Sequence, residues 1–476
     1  MIQMSENSFP TGLVWDIFKT ILSVPHRSGK EHQLASVLAD MARAKGLEVK
    51  FDSYGNLRID RKAAPGFEEL PAVIMQGHLD MVCEKAEGVE FDFDRDPIKA
   101  VVKDGFIYAS GTTLGADNGI GAAMALAVLF DPEYQGRAVS GLFTLEEETG
   151  LVGAGKLTRD MLDGKYLLNL DCGKEGCFCI GCAGGARLEA DFDIPYAPAP
   201  EGYSVEISVS GLPGGHSGEC INKHHGNALV ILSKMLEASG VDVSDICCKN
   251  ADNVIPSAAR AQVVSSEPPE VLANLFCTMV EEFKKELASG INIEVNVTEV
   301  SGSETVWESS WRKAVISAMA NVPNGVLEFA PEFNVPRTSS NFASAVVENG
   351  VLKLRFSQRS LENALRAEAT ELIGGAFSAL GANVSVSSEY SGWKPVADAH
   401  VNSVAGEVWE KLFGNKPVFE VIHAGLEAGI ISKINPELEL ISLGPDMFAI
   451  HSSNEHLSIG STDRIYRFLL EFIKAL

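Results

Sequence analysis

Along the N-terminal part of the chain, the spacing of apolar residues alternates between the pattern of helices and that of strands. Residues 12–22 and 30–45 carry apolar side chains three or four positions apart, as amphipathic helices do. Residues 48–51 and 56–60 favour two strands of a hairpin, and residues 71–82 form the near-continuous apolar run PAVIMQGHLDMV. Such a run is typical of a strand that is buried in an α/β sheet.

The alternation of helices and strands continues over the next ninety residues. The pattern predicts helices at 119–130 and 153–157 and strands at 139–145 and 166–170. Alternating units of this kind favour a mostly parallel or mixed sheet with helices on both faces. In such sheets, chemistry is expected at the carboxyl ends of the strands.

Composition shifts towards Gly, Ala and Pro around residues 183–201, which indicates a second domain. Two strand–helix–strand units follow, predicted at 259–265, 269–288 and 291–300 and again at 351–357, 361–380 and 382–389. This repeat predicts an α+β domain made of two related halves, each with helices on an antiparallel sheet.

The α/β pattern resumes after Trp393. Helices are predicted at 401–412, 426–432 and 461–476, and strands at 417–422 and 439–443. We therefore expect a catalytic domain of residues 1–190 and 393–476, with an inserted domain of residues 191–392.

The overall composition is that of a globular protein without a membrane-spanning segment. The chain has 476 residues, with 46% hydrophobic and 22% charged residues, and a net charge of −25. Residues 1–10 are polar and lack the features of a secretion signal, so a cytoplasmic protein is expected. The negative charge argues against a nucleic-acid partner. The negative charge suits divalent cations, although a solvated acidic surface is the commoner explanation.

Nine cysteines need an interpretation, because Cys172, Cys177, Cys179 and Cys182 lie within eleven residues. A thiolate metal site is one reading, but paired C-x2-C motifs are missing. We favour a hairpin at 174–183 in which cysteine packs as a small apolar residue. An odd number of cysteines in a chain without a leader argues against a disulfide framework.

One glycine-rich loop, residues 111–121, presents a single acidic residue, Asp117, just before an apolar helix. Its glycines permit backbone angles and close approaches that other residues resist. Either the loop is a tight turn with Asn118 as the helix N-cap, or Asp117 bridges two cations.

Further polar residues follow the predicted strands. His78 and Asp80 alternate along one strand and share a face, so the carboxylate could orient a metal-binding imidazole. Glu146, Glu147 and Glu148 follow the next strand, Asp171 follows another, and His451 lies in a late loop. Each has an ordinary structural explanation. Together they form a nitrogen and oxygen ligand set suited to two zinc, manganese or cobalt ions.

Six motifs occur in the order seen in the M20 family of co-catalytic zinc peptidases, which this chain resembles over essentially its whole length. They are GHLDMV (77–82), GADNGIG (115–121), EEETG (146–150), NLD (169–171), GGHSG (214–218) and GP…HSSNE (444–455). IHAGLEAG (422–429) and the long insertion are most similar to the aminoacyl-histidine dipeptidases of that family. The resemblance implies a mixed-sheet α/β catalytic domain with an inserted α+β lid domain.

It also implies a ligand set for two divalent ions, zinc first and manganese or cobalt as alternatives. Asp117 would bridge the ions, with His78 and Asp171 on one and Glu148 and His451 on the other.

Two acidic residues receive catalytic roles from the same resemblance. Asp80 would orient His78, and Glu147 would be the general base, from matching E-E-x-G to residues 147–150. A shift of one position, onto Glu146, is the alternative. The Asp117–Asn118 peptide is expected to be cis.

Four residues would contact substrate, three of them in the inserted domain. His216 resembles a lid histidine that stabilises the oxyanion, and Asn253 and Arg359 match substrate-holding positions. Arg359 could bind a peptide carboxylate, and His423 lies where a helix begins. An exposed turn histidine and a strand-end arginine are the ordinary alternatives.

These features predict an enzyme that hydrolyses short unblocked peptides, including Xaa-His dipeptides. A tripeptidase, an amidase for N-acylated amino acids and a metal-free binding protein are the alternatives. The resemblance also implies a homodimer formed through the lid, although the doubled insertion could supply the same surface within one chain. No membrane partner is expected.

Overall fold

The computed structural model describes residues 9–476, which form two compact units. An α/β unit comprises residues 9–182, 395–421 and 426–476, and an inserted unit comprises residues 183–394 and 422–425. The inserted unit starts earlier than residue 191 because the strand Gly184–Asp193 pairs within its sheet. The prediction of no secretion signal concerned residues 1–10, and residues 1–8 lie outside the described residues.

The α/β unit is built from both ends of the chain. Its first part contains helices α1 (Leu13–Ser23), α2 (His32–Ala44) and α3 (Ala116–Phe130), and strands β1 (Glu48–Phe51), β2 (Leu57–Arg61), β3 (Val73–His78), β4 (Ala100–Lys103), β5 (Phe106–Ala109), β6 (Val139–Thr144), β7 (Tyr166–Asn169) and β8 (Cys177–Cys182).

The inserted unit lies between these two parts in sequence. Its helices are α4 (Ser217–Cys220), α5 (Ala228–Ser239), α6 (Pro269–Phe283), α7 (Ser309–Asn321) and α8 (Asn363–Ser378). Its strands are β9 (Gly184–Asp193), β10 (Tyr196–Pro198), β11 (Tyr203–Ser210), β12 (Gly215–His216), β13 (Asp242–Cys248), β14 (Val254–Ile255), β15 (Ala259–Ser265), β16 (Glu294–Glu299), β17 (Thr305–Trp307), β18 (Gly325–Ala330), β19 (Val335–Glu348), β20 (Val351–Ser360) and β21 (Asn383–Tyr390).

The C-terminal part completes the α/β unit. It contains α9 (His400–Phe413), α10 (Glu427–Ile434) and α11 (Ile459–Ala475), with strands β22 (Val418–Ile422), β23 (Glu439–Ser442), β24 (Met447–Phe448) and β25 (His456–Ser458). No helix among residues 9–476 has both the length and the apolar character needed to cross a membrane.

An eight-stranded mixed sheet organises the α/β unit, in the order β1-β2-β6-β3-β7-β23-β8-β22. Its centre is parallel, since β3 pairs in parallel with β6 and β7, and β7 with β23. β1 and β2 add antiparallel strands at one side. The four parallel strands end at the same edge, so the residues that follow them lie near one another.

Helix α3 is buried on all sides. Every residue of α3 except Asp117 is buried, and alanine and glycine allow neighbouring elements to approach closely. A helix that is apolar all round belongs in a core. Asp117 therefore sits at the start of one of the most enclosed helices of this unit.

A second, four-stranded sheet has the order β24-β25-β5-β4 and is antiparallel. The apolar pattern did not predict it, because its strands contain only two to four residues. β24 and β25 flank the loop that carries His451, so this sheet anchors both ends of that loop.

The hairpin predicted at residues 174–183 is wrong. β8 is a single strand of the large sheet, between β23 and β22, and all six of its residues are buried. The cysteines in β8 do pack as small apolar residues, and no disulfide joins any of the nine cysteines, all of which lie among residues 9–476.

The inserted unit contains a long antiparallel sheet whose strand order repeats. Along the sheet the order is β16-β11-β15-β13 and then β19-β20-β9-β21, with β18 paired to β19. Read outward from the β13–β19 contact, both halves place their strands in corresponding positions. If β10, β12, α4, β14, β17 and β18 are left aside, the half β11-α5-β13-β15-α6-β16 has the same succession of elements as the half β9-α7-β19-β20-α8-β21. The mixed α/β fold class with an α+β insertion is confirmed.

We expect Phe356→Ala to destabilise the protein by about 3–5 kcal/mol, as large-to-small changes of buried aromatic residues do. Phe356 is fully buried and stacks on Phe342 with ring centroids 4.4 Å apart. Urea denaturation followed by circular dichroism measures the effect. The control is Leu372→Ala on α8, since Leu372 is 63% exposed. Equal losses in both variants would contradict this picture of the core.

Candidate active site

Four parallel strands deliver polar residues to one edge of the large sheet. β3 ends at His78, and β6 ends two residues before Glu146. β7 ends two residues before Asp171, and β23 is followed by β24 and then by the loop that carries His451. His78, Glu148 and Asp171 therefore come together because the strands that precede them are parallel neighbours.

The turn before α3 places Asp117 beside these strands. Gly115 precedes the helix in a left-handed conformation, with φ 72°, and the Asp117–Asn118 peptide is cis, as expected. Asn118 is not the helix N-cap. Its Nδ2 donates to the Leu170 carbonyl (2.7 Å) and to Asp171 Oδ1 (2.8 Å), so it ties the turn to the end of β7.

The two oxygens of Asp117 face two different histidines. Oδ1 lies 3.2 Å from Nε2 of His78, which is also 3.5 Å from Oδ1 of Asp171. Oδ2 lies 3.4 Å from Nε2 of His451, which is 2.9 Å from Oε1 of Glu148. Asp117 thus stands between two histidine–carboxylate pairs.

These separations fit the donor set of a metal centre. Neighbouring ligands of a tetrahedral ion with bonds of about 2.0–2.1 Å lie roughly 3.4 Å apart. One donor atom each from His78, Asp117 and Glu148 lie within 4.8 Å of one another. Imidazole nitrogen with carboxylate oxygen suits zinc, cobalt or manganese.

Asp80 organises the surroundings of His78. Nδ1 of His78 lies 3.0 Å from the Asp80 carbonyl oxygen and 3.4 Å from its Oδ1. The Asp80 carboxylate also accepts hydrogen bonds from Ser28 Oγ and from the amides of Glu147 and Glu148. Burial alone would raise the pKa of Asp80, but its hydrogen bonds, chiefly with His78, lower the pKa to about 2.

The three consecutive glutamates that follow β6 occupy a turn. The amides of Gly150 and Leu151 both donate to the Glu147 carbonyl. The Glu146 side chain accepts a hydrogen bond from Tyr54 (2.6 Å), whereas Glu148 contacts His451. The turn, instead of strand alternation, sends adjacent side chains in different directions.

Titrating groups in the cluster respond to burial and to one another. Burial raises the pKa of Glu147 well above its ordinary value, and the charges of Asp171, Glu427 and Glu148 add to this shift. Burial would lower the pKa of His78, yet Asp171 and the other carboxylates raise it strongly. Hydrogen bonds to Asp117 and Glu148 raise the pKa of His451 to about 10. The cluster therefore has a strong requirement for positive charge.

The four predicted substrate residues all lie in the inserted unit. His216 in β12 pairs with Val254 of β14, and Asn253 directly precedes that strand, with an exposed side chain. A Cβ atom on Gly218 would lie 3.0 Å from both the His216 ring and the His423 carbonyl. The structure thus places His216 and His423 close together.

Arg359 is buried without an acidic partner. It is 8% exposed, its NH1 donates to the Tyr390 hydroxyl (2.8 Å), and its Nε has no hydrogen-bond partner. Among residues 9–476, no carboxylate oxygen lies within 4.0 Å of its guanidinium nitrogens. A buried charge without a counter-ion is costly, so this position is suited to an anionic group.

His423 is held in its neutral form. Burial, and then the charge of Arg359, lowers its pKa to about 3. Its Nε2 lies 2.7 Å from the hydroxyl of Ser339, and Ser339 is directly opposite Arg359 in the β19–β20 pairing. The histidine can therefore exchange hydrogen bonds without carrying charge.

The sequence patterns missed several residues of these clusters. Ser339 and Tyr390 contact the predicted substrate residues, and the buried carboxylate of Glu427 accepts hydrogen bonds from Gln76 and Thr144. Polar side chains inside an apolar strand, as in the run Ser339–Asn341 of β19, were the available signal for Ser339. Tyr390 gave no comparable signal.

Comparisons with known proteins identify relatives of this chain. The sequence model that represents Peptidase family M20/M25/M40 matches residues 74–475 of this chain. The cytosol non-specific dipeptidase of Escherichia coli is 33% identical, and the match covers 97% of each chain. The crystal structure of the aminoacylhistidine dipeptidase from Vibrio alginolyticus superposes with a TM-score of 0.91 at 32% identity, covering 98% of this chain and 97% of that one.

A more distant structure shares the fold. A tripeptidase from Staphylococcus aureus superposes with a TM-score of 0.61 at 18% identity, covering 97% of each chain. The family match covers most of this chain, and one relative exceeds 30% identity over nearly its whole length. The chain therefore belongs to peptidase family M20/M25/M40, a family of metal-dependent hydrolytic enzymes.

Proposed function

We propose that this protein is a dinuclear metallo-dipeptidase that hydrolyses short unblocked peptides, including Xaa-His dipeptides. One observation carries the proposal: the oxygens of Asp117 divide between the His78–Asp171 pair and the His451–Glu148 pair. The names of the Escherichia coli and Vibrio alginolyticus relatives, both dipeptidases, support the reaction class. The first name also supports a cytoplasmic location.

Two divalent ions, zinc in the first place, would be held by the five residues of the cluster. His78 and Asp171 would bind one ion, Glu148 and His451 the other, and Asp117 both. When bound, such a pair lowers the pKa of water and polarises the peptide carbonyl. Asp80 would keep His78 oriented, because its main-chain and side-chain oxygens face Nδ1 of the imidazole.

Glu147 is the residue proposed to move the proton. Glu147 is half-buried, and no ion pair between its carboxylate and a Lys, Arg or His occurs among residues 9–476. Burial raises its pKa, which suits a group that accepts a proton near neutral pH. The carboxylate would take a proton from the attacking water and later donate it to the leaving amine.

The substrate would be bound by residues of the inserted unit. The unpaired charge of Arg359 suits the C-terminal carboxylate of a peptide, with which guanidinium forms charge-assisted hydrogen bonds. His216 would donate to the oxyanion, and Asn253 and neutral His423 would bind polar groups of the peptide. The inserted unit would also act as a lid and form the contact of a homodimer.

A substrate panel separates this proposal from its alternatives. We expect cleavage of β-Ala-His, Gly-His and Leu-Leu, measured by amine release after zinc or manganese is restored to chelated enzyme. Preference for a tripeptide or an N-acetyl amino acid would overturn the dipeptidase assignment.

Glu147→Gln should retain both ions and lose about 10²- to 10⁴-fold in kcat, the usual contribution of a general base. Metal content by mass spectrometry and single-substrate kinetics give the two readouts. Glu146→Gln is the matched control, since Glu146 contacts Tyr54 instead. Full activity of the Glu147 variant together with an inactive Glu146 variant would shift the assignment by one residue.

Gly77→Ala should weaken metal binding, because a Cβ atom there would lie 2.2 Å from Oδ1 of Asn118. Asn118 would have to move, and with it the turn that carries Asp117. Gly155→Ala is the control, since nothing lies within 4 Å of the Cβ atom it would add. If both variants kept two ions in the presence of a chelator, metal binding would not depend on the position of Asn118.

Arg359→Met should raise KM for a free dipeptide by about 10- to 100-fold, because hydrogen bonds to charged groups contribute about 1.5–3 kcal/mol. The same dipeptide with a C-terminal amide should bind the wild type weakly, and its KM should rise little further in the variant. Arg260→Met, at an exposed position, is the control. Equal losses for acid and amide would exclude a carboxylate contact.

A further inference from the structure

Glu455 binds four consecutive backbone amides through one carboxylate. Its Oε2 accepts from the amides of Leu114 (2.7 Å) and Gly115 (3.0 Å), and its Oε1 from those of Ala116 (2.8 Å) and Asp117 (3.2 Å). Glu455 is only 2% exposed. Among residues 9–476, no Lys, Arg or His nitrogen lies within 4.0 Å of it, so main-chain dipoles are its principal compensation.

The amide cradle depends on the backbone of the turn before α3. Gly115 has φ 72°, which brings successive N–H groups to one side, as in anion-binding nests. The start of α3 adds its own unsatisfied amides and partial positive charge. The glycine-rich loop therefore forms a receptor for the Glu455 carboxylate as well as a support for Asp117.

The other end of this contact is the loop that carries His451. Residues 451–455 form a tight turn, in which the Glu455 amide donates to the Ser452 carbonyl (3.0 Å) and the Asn454 amide to Ser452 Oγ (3.2 Å). His451 itself has φ 61°, a conformation uncommon for a residue with a side chain. His451 and Glu455 thus move as parts of one turn.

We propose that Glu455 is a positioning residue for the metal pair. Its carboxylate holds the loop of His451 at a set distance from Asp117. The inference rests on the proposed function. It explains how Nε2 of His451, whose side chain is 46% exposed, lies 3.4 Å from Asp117 Oδ2. The two residues are far apart in sequence, and the carboxylate joins their loops directly.

An ordinary helix cap would have a different consequence. A cap stabilises the metal-free and metal-loaded proteins equally. A positioning residue changes the affinity for the ion that His451 binds, because the free protein must reorder its loops before both ligands can contact that ion. The difference lies in metal affinity, which can be measured apart from turnover.

The test variant is Glu455→Gln, which keeps the size of the side chain. Its amide nitrogen would face backbone N–H donors, so half of the acceptor set is lost. We expect the weaker ion to bind at least tenfold more weakly, measured by zinc titration against a chromophoric chelator. We also expect a smaller zinc-induced rise in Tm. Glu308→Gln, at the N-terminus of α7 in the inserted unit, is the control and should leave the titration unchanged.

A double-variant cycle tests the link to His451. His451→Ala should cost much less zinc affinity in the Glu455→Gln background than in the wild type, because its loop is already displaced. Glu455→Asp, which keeps the charge but shortens the reach, replaces Glu455→Gln if that variant does not fold.

The outcomes separate this inference from the proposed function. Two ions in the wild type and a weakened second ion in Glu455→Gln support the positioning role. The positioning role would be overturned if the wild type and Glu455→Gln bound two ions with the same affinity, and if the variant lost the same amount of Tm in its metal-free and metal-loaded states. Glu455 would then be an ordinary helix cap. A wild type that binds no zinc would instead overturn the proposed function, and this inference with it.

Discussion

Mutual repulsion among buried and half-buried carboxylates is the constraint on which the α/β unit depends. Asp80, Asp117, Asp171, Glu147 and Glu148 converge at one sheet edge, and no Lys or Arg nitrogen among residues 9–476 lies within 4.0 Å of them. Burying like charges without counter-charge is very costly. Only two histidines, or cations from solution, can offset it. This explains why Asn118 and Ser28 and several backbone amides donate hydrogen bonds to these oxygens.

Much of this fold was predictable because its signals are local. Apolar runs marked β3, β6 and β7, and polar residues just beyond their ends marked the candidate site. The glycine spacing of residues 115–121 indicated a close approach, and Gly77 and Gly121 indeed leave no room for a Cβ atom beside Asn118. The family resemblance then assigned roles to residues that spacing alone could not distinguish.

What could not be predicted depends on contacts between distant segments. β24 and β25 are too short to give a periodic signal, yet they anchor the His451 loop. The direction of each glutamate side chain follows from a turn held by Asp80, a residue far away in sequence. The hairpin prediction at residues 174–183 failed for the same reason, since both partners of β8, β22 and β23, lie more than 230 residues later in the chain.

The repeated halves of the inserted unit occupy corresponding places in one sheet, but they do not carry the same polar side chains. His216 and Asn253 belong to the half built around β11, whereas Arg359 and Ser339 belong to the half built around β9. Two identical subunits must present the same residue at every symmetry-related position. Covalent duplication removes that restriction, so one half can specialise in neutral hydrogen-bonding groups while the other acquires a fixed positive charge.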